Sequence, residues 1–126
     1  NVCGICGLAA GLRFVQQQTP QRLLAHEVRQ RKLLTSLLTD VPGVRLFTGE
    51  PQSGTLSLCA AQMDCETLAA RLAVKGVCVR AGLHCAPLAH ESAGTLETGT
   101  VRFSLSAFNT EQEIFRTADL LKEILA

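Results

Sequence analysis

The chain has no tryptophan and no tyrosine, and five phenylalanines are the only aromatics among its 126 residues. Its interior therefore has to be filled by Leu, Ala and Val. A surplus of one charge is also missing: 12 basic against 11 acidic side chains leave a net charge of +1. Neutralising phosphates needs Lys and Arg in excess on one face, so no nucleic-acid partner is expected. No apolar run approaches the roughly 18 residues of a membrane span, and the N-terminus lacks the charged start and apolar core of a secretory signal. No membrane partner is expected, and the chain reads as cytoplasmic.

What is present suits one domain with a well-filled core, since 47% of the residues are hydrophobic. At this length about two thirds of the unfolded surface can be buried, so disulfide staples are not needed. The six cysteines are Cys3, Cys6, Cys59, Cys65, Cys78 and Cys85. Cys59 and Cys78 lie in apolar, strand-like runs, where a reduced thiol acts as a small hydrophobe. The thiols are read as free.

Periodicity predicts a helix over residues 4–18 and a second over 19–40, the latter with Thr19 as N-cap and Pro20 at the first helical position. Leu23, Leu24, Val28, Leu34, Leu37 and Leu38 form its apolar stripe. "VRLFTG" and "TLSLCA" read as strands joined by a turn, and "DCETLAARLAVKG" as a helix capped by Asp64 and ended at Gly76. "VCVR" and "TVRFSLS" are the third and fourth strands, with an unstructured loop of about twenty residues between them. The last segment opens on Thr110 and Glu113 in capping-box spacing. The order α-α-β-β-α-β-β-α predicts an α+β fold, a small antiparallel or mixed sheet of about four strands with helices on one side.

The long loop carries the candidate chemistry. "VRAGLHCAPLAH" sets Cys85 between His84 and His90, with Arg80 leading in. A thiol near positive charge and a possible base has the means to become a thiolate; a loop cysteine with histidines capping backbone groups is the plainer alternative. Arg80 and Arg102 end apolar strands on either side of the loop, where a guanidinium fork suits a carboxylate, either of a ligand or of Glu91 or Glu97. Cys3-x-x-Cys6 could be half of a zinc site or a redox pair, but it has no second half and reads as two helix cysteines facing the core. A zinc site from His84, Cys85 and His90 lacks a fourth ligand, so no metal is expected. His26 reads as solvated on a helix. Lys32, Lys75 and Lys122 are helix-surface lysines, none in an apolar pocket that would suit a Schiff base.

"NVCGICGLAAGL", "VPGVRLFTG", the cysteine loop, "VRFS" and "FNTEQEI" together, in this order, resemble the C-terminal part of a class V aminotransferase-type, pyridoxal-phosphate-dependent cysteine desulfurase, of the branch that includes selenocysteine lyase-like enzymes. The resemblance runs over nearly the whole chain. It implies that residues 1–18 are a linking helix and residues 19–126 the core of the small domain. It implies that Cys85 takes sulfur from L-cysteine or selenocysteine as a persulfide, passing it on to an acceptor protein. Arg102 matches the arginine that holds the substrate carboxylate, Arg80 a second arginine with a less defined role, and His84 a position beside the acceptor to which the match assigns no role; by their closeness to Cys85 in the sequence, His84 and His90 are supporting candidates. Pyridoxal 5'-phosphate and a homodimer are implied for the full-length parent. The family's large domain, with its cofactor-binding lysine, is absent, so this chain is expected to bind no cofactor and to be inactive alone. A free-standing thiol- or zinc-binding module, or the domain of a related lyase or aminotransferase, is the alternative.

Overall fold

A computed structural model describes residues 1–126. The elements in chain order are α1 (Val2–Gln18), α2 (Pro20–Leu38), β1 (Val44–Phe47), β2 (Thr55–Ala60), α3 (Cys65–Val74), β3 (Arg80–Gly82), α4 (Pro87–Ala93), β4 (Thr100–Ser104) and α5 (Glu111–Leu125). The four strands form one sheet in the order β1-β2-β4-β3, antiparallel throughout. This is the α+β layer that the sequence predicts.

Strand alternation sends every second side chain to the same face. Leu56 and Leu58 of β2 stand opposite Phe103 and Val101 of β4 and are buried. Over them lie Leu34 and Leu38 of α2, Leu68 and Leu72 of α3, and Ile114, Ala118, Leu121 and Leu125 of α5. Removing each of these side chains but the small Ala118 from water contributes about 1.5–3 kcal/mol before entropy is counted.

The helix ends follow the chemistry read from the sequence. Thr19 Oγ1 accepts from the Arg22 amide, and Asp64 Oδ1 from the Thr67 amide at 2.8 Å. At α5 the box closes both ways: the Thr110 amide donates to Glu113 Oε2 at 2.8 Å, and the Glu113 amide to Thr110 Oγ1 at 3.3 Å. Those bonds hold the carboxyls of Asp64 and Glu113 below their ordinary range.

Several expectations are corrected. The third strand starts at Arg80 rather than Val77, because the Val77 amide closes α3 on the Leu72 carbonyl while Val77 and Val79 pack on the core. The long loop is not structureless: it folds into α4, with Pro87 in the first turn and Gly94 (φ +68) in the left-handed conformation that ends it. Leu24 is exposed, and the buried turn of α2 is instead Gln30, Arg31, Leu34 and Leu38. Residues 20–29 of α2 include none that is buried. His26 is half-buried, its Nε2 3.0 Å from the Asn109 carbonyl oxygen. Cys78 is exposed, since it falls outside the paired strand.

α1 has no buried residue and touches the rest of the chain through α2 and through Phe14, which stacks on Phe108 at 5.4 Å. Cys3 and Cys6 are exposed rather than facing a core, because nothing lies against their side of the helix.

Candidate functional site

The second face of the sheet carries the residues that the first excludes. Arg45, Phe47, Ser57, Cys59, Thr100 and Arg102 alternate with the core side chains and turn away from α2, α3 and α5. α4 covers part of this face. Arg45 donates from Nη2 to the Ala93 carbonyl at the C-terminal end of α4, at 3.1 Å, and its guanidinium lies 4.7 Å over the Phe47 ring. A small cavity of about 150 Å³ remains beneath α4, lined by Phe47, Ser57, His90, Thr95 and Thr100 among others.

At the open end of this face Arg80 of β3 stands directly opposite Arg102 of β4. Residues so paired share one side of a sheet, and like charges there repel. Neither arginine takes part in any of the four ion pairs of the structure, so the partners Glu91 and Glu97 offered by the sequence are not used. Arg102 is half-buried and its Nε, out of reach of water, has no hydrogen-bond partner. A carboxylate accepting from this pair would relieve the repulsion.

β3 leads straight into a tight turn. The Ala86 amide donates to the Leu83 carbonyl at 2.9 Å, and the two residues between them, His84 (φ 52) and Cys85 (φ 60), are both left-handed. Such backbone costs about 1 kcal/mol or more per non-glycine residue and persists only where neighbours enforce it. His84 supplies that enforcement, with Nε2 3.1 Å from Thr100 Oγ1 on β4. His90 of α4 is buried, with Nδ1 2.8 Å from Thr95 Oγ1, and its ring lies 5.8 Å from that of His84. Cys85 is left exposed at the apex. Burial first, and then the positive charge of Arg102, push the His84 imidazole below its ordinary value of 6.5.

The structure thus gathers Arg80, Arg102, His84, His90 and Cys85 along β3, α4 and β4. Thr95 and Thr100 were not read from the sequence; a threonine in a strand-like run gives no sign that its hydroxyl holds a histidine. Gly99 (φ +61), just before Thr100, lies so close to Gly82 that a Cβ on it would stand 2.9 Å from the Gly82 Cα, bringing β3 and β4 together here.

No group of three or more His, Cys, Asp and Glu side chains is placed to hold a metal ion. The lysines also lie elsewhere. Lys32, Lys75 and Lys122 sit on or at the end of α2, α3 and α5, the helices on the opposite face of the sheet, and Lys75 is paired with Glu123 at 3.1 Å. None of the three therefore lies on the face of the sheet that carries Arg102. No helix is long and apolar enough to cross a membrane.

A sequence profile of the aminotransferase class-V family matches residues 1–116. The chain belongs to that family. Over 98% of its length it is 33% identical to a probable cysteine desulfurase of Methanothermobacter thermautotrophicus, 32% of which it covers. It is 34% identical, again over 98% of its length, to a cysteine desulfurase of Synechococcus elongatus, covering 20% of that protein. A solved cysteine desulfurase from Thermococcus onnurineus superposes with a TM-score of 0.89 at 26% identity, with 99% of this chain and 31% of that one aligned. The cysteine desulfurase CsdA of Escherichia coli gives 0.86 at 26% identity, with 100% and 32% aligned. The chain spans about a third or less of the length of these relatives.

Proposed function

We propose that this chain is the small C-terminal domain of a pyridoxal-phosphate-dependent cysteine desulfurase, with Cys85 as sulfur acceptor and Arg102, assisted by Arg80, as the carboxylate holder. The overall exchange is L-cysteine plus the Cys85 thiol giving L-alanine plus a Cys85 persulfide. Atoms balance, and no external oxidant is needed. A further thiol of an acceptor protein then takes the terminal sulfur. The relatives' names support the reaction class. The observation that carries the reading is the pair of facing arginines without acidic partners, at the foot of a strained turn that exposes a thiol.

Each residue has a physical task. The two guanidiniums hold an amino-acid carboxylate in one orientation, where positioning lowers the barrier. The turn projects Cys85 beyond the sheet, and His84 and His90 fix its base. Pyridoxal phosphate supplies the electron sink; its lysine and phosphate site belong to residues outside this chain.

The test uses the full-length parent. Cys85→Ala should abolish sulfide release from L-cysteine while leaving the bound cofactor's absorbance unchanged. Arg102→Ala should lower kcat/KM for cysteine by about 10- to 100-fold, the worth of a hydrogen bond to a charged group. Undiminished turnover in the Cys85 variant would overturn the assignment. The present chain, mixed with pyridoxal phosphate and desalted, should retain no cofactor and release no sulfide.

A further inference from the structure

The buried arginine of α2 is the clearest feature that the proposed reaction does not use. Arg31 is 3% exposed, and its guanidinium meets the β1–β2 connection. Gln52 organises that connection: its Oε1 accepts from Arg31 Nη1 and from the Gly49 amide, both at 3.1 Å, while its Nε2 donates to the Phe47 and Thr55 carbonyls at 3.3 and 2.8 Å. This accounts for one end of the guanidinium only. Arg31 Nε has no partner, and neither has the buried hydroxyl of Thr35 one turn further along α2.

The acidic residue paired with Arg31 and Lys32 is Glu50. Its Oε1 lies 3.5 Å from Arg31 Nη2 and 4.0 Å from Lys32 Nζ, and its side chain is 71% exposed. Charge-assisted bonds close to about 2.7–2.9 Å when well made, so one exposed carboxylate is shared at long range between two cations. These groups line a groove of about 440 Å³, together with Thr48 and Gly49, and no hydrophobic residue takes part in its wall.

We propose that this groove binds a small oxyanion, a phosphate or carboxylate group, in place of the Glu50 side chain. The buried guanidinium gives the site a fixed charge that needs no reorganisation, Lys32 adds a second, and the exposed Thr48 hydroxyl offers a further donor. An oxyanion presents several acceptor atoms at once, where Glu50 reaches the two cations with one oxygen. Glu50 then acts as an internal competitor that keeps the groove closed until an external anion displaces it.

Titration of the chain with inorganic phosphate, followed by NMR of the Arg31 Nε–H and of the Thr35, Thr48 and Gly49 amides, tests this, with sodium chloride at matched ionic strength as reference. Saturable shifts are expected with at least one of the two oxyanions, phosphate or acetate, and absent with chloride. Glu50→Gln should tighten phosphate binding and Lys32→Gln weaken it, each about two- to fivefold, the scale of one exposed charge contact. Both positions are exposed, so neither variant endangers the fold. An acetate titration separates the sources: saturation by phosphate alone assigns a phosphate site, and saturation by acetate alone a carboxylate site. Shifts that match those of chloride for both anions, or weaker binding in Glu50→Gln, would overturn the proposal.

Discussion

Arg80 faces Arg102 across the β3–β4 pair, two guanidiniums on one side of a sheet with no acidic side chain bonded to either. Cross-strand like charges destabilise a sheet, and here the cost falls beside the turn that presents Cys85. A fold that keeps such a pair has placed positive charge where it does not help the fold itself. The same field reaches His84, and this gives it a measurable signature.

His84 should titrate below 6.5 when followed by NMR of its ring protons, because burial and Arg102 both disfavour the imidazolium. Arg102→Ala should move that midpoint upward. The folded state binds this proton less readily than the unfolded chain. The His84 contribution to stability is therefore complete above the unfolded value and is lost as pH falls through the lower folded midpoint. A midpoint unmoved by Arg102→Ala would separate the two residues.

The thiols should divide by exposure in a timed alkylation read by mass spectrometry. Cys3, Cys6, Cys78 and Cys85 are exposed, whereas Cys59 and Cys65 are half-buried. Cys59 should be slowest, for burial pushes its thiol upward and its Sγ lies 3.3 Å from the Gly99 carbonyl oxygen. Labelling of Cys59 as fast as Cys85 would contradict the packing of this face.

Leu58→Ala should cost about 2–5 kcal/mol in denaturant unfolding, since the side chain is fully buried between sheet and helices and leaves a cavity. Leu24→Ala, on the exposed stretch of α2, should cost less than 1 kcal/mol, roughly the range for surface sites.

Along α1, Val2, Ile5, Leu8, Leu12 and Val15 leave an apolar stripe in solvent. Stripes of this kind promote association. Leu8→Glu should lower concentration-dependent self-association in sedimentation velocity without changing the melting of the sheet domain. Equal association in both proteins would show that α1 takes no part.

Much of the fold was legible because local chemistry and global packing agree. Thr19, Asp64, Thr110 and Glu113 cap the helices they announce, and the apolar alternation of "TLSLCA" and "TVRFS" sends the same residues inward in the structure. α4 was signalled by Pro87 and Gly94, yet seven residues rich in small side chains give too little periodicity to read. Nothing in the residues around Arg31 signals its burial, since its guanidinium is met by Gln52, 21 residues away.

The order of the chain by itself determined the class of fold, the caps, the inward face of each long element and the residues worth suspecting, since all of these rest on neighbours within a few positions. Only the tertiary structure decided that Arg80 meets Arg102, that Thr100 steadies His84, and that Cys85 stands exposed on a left-handed turn. Those facts depend on strand register and on a helix laid across the sheet, which long-range packing selects and no short stretch of sequence encodes.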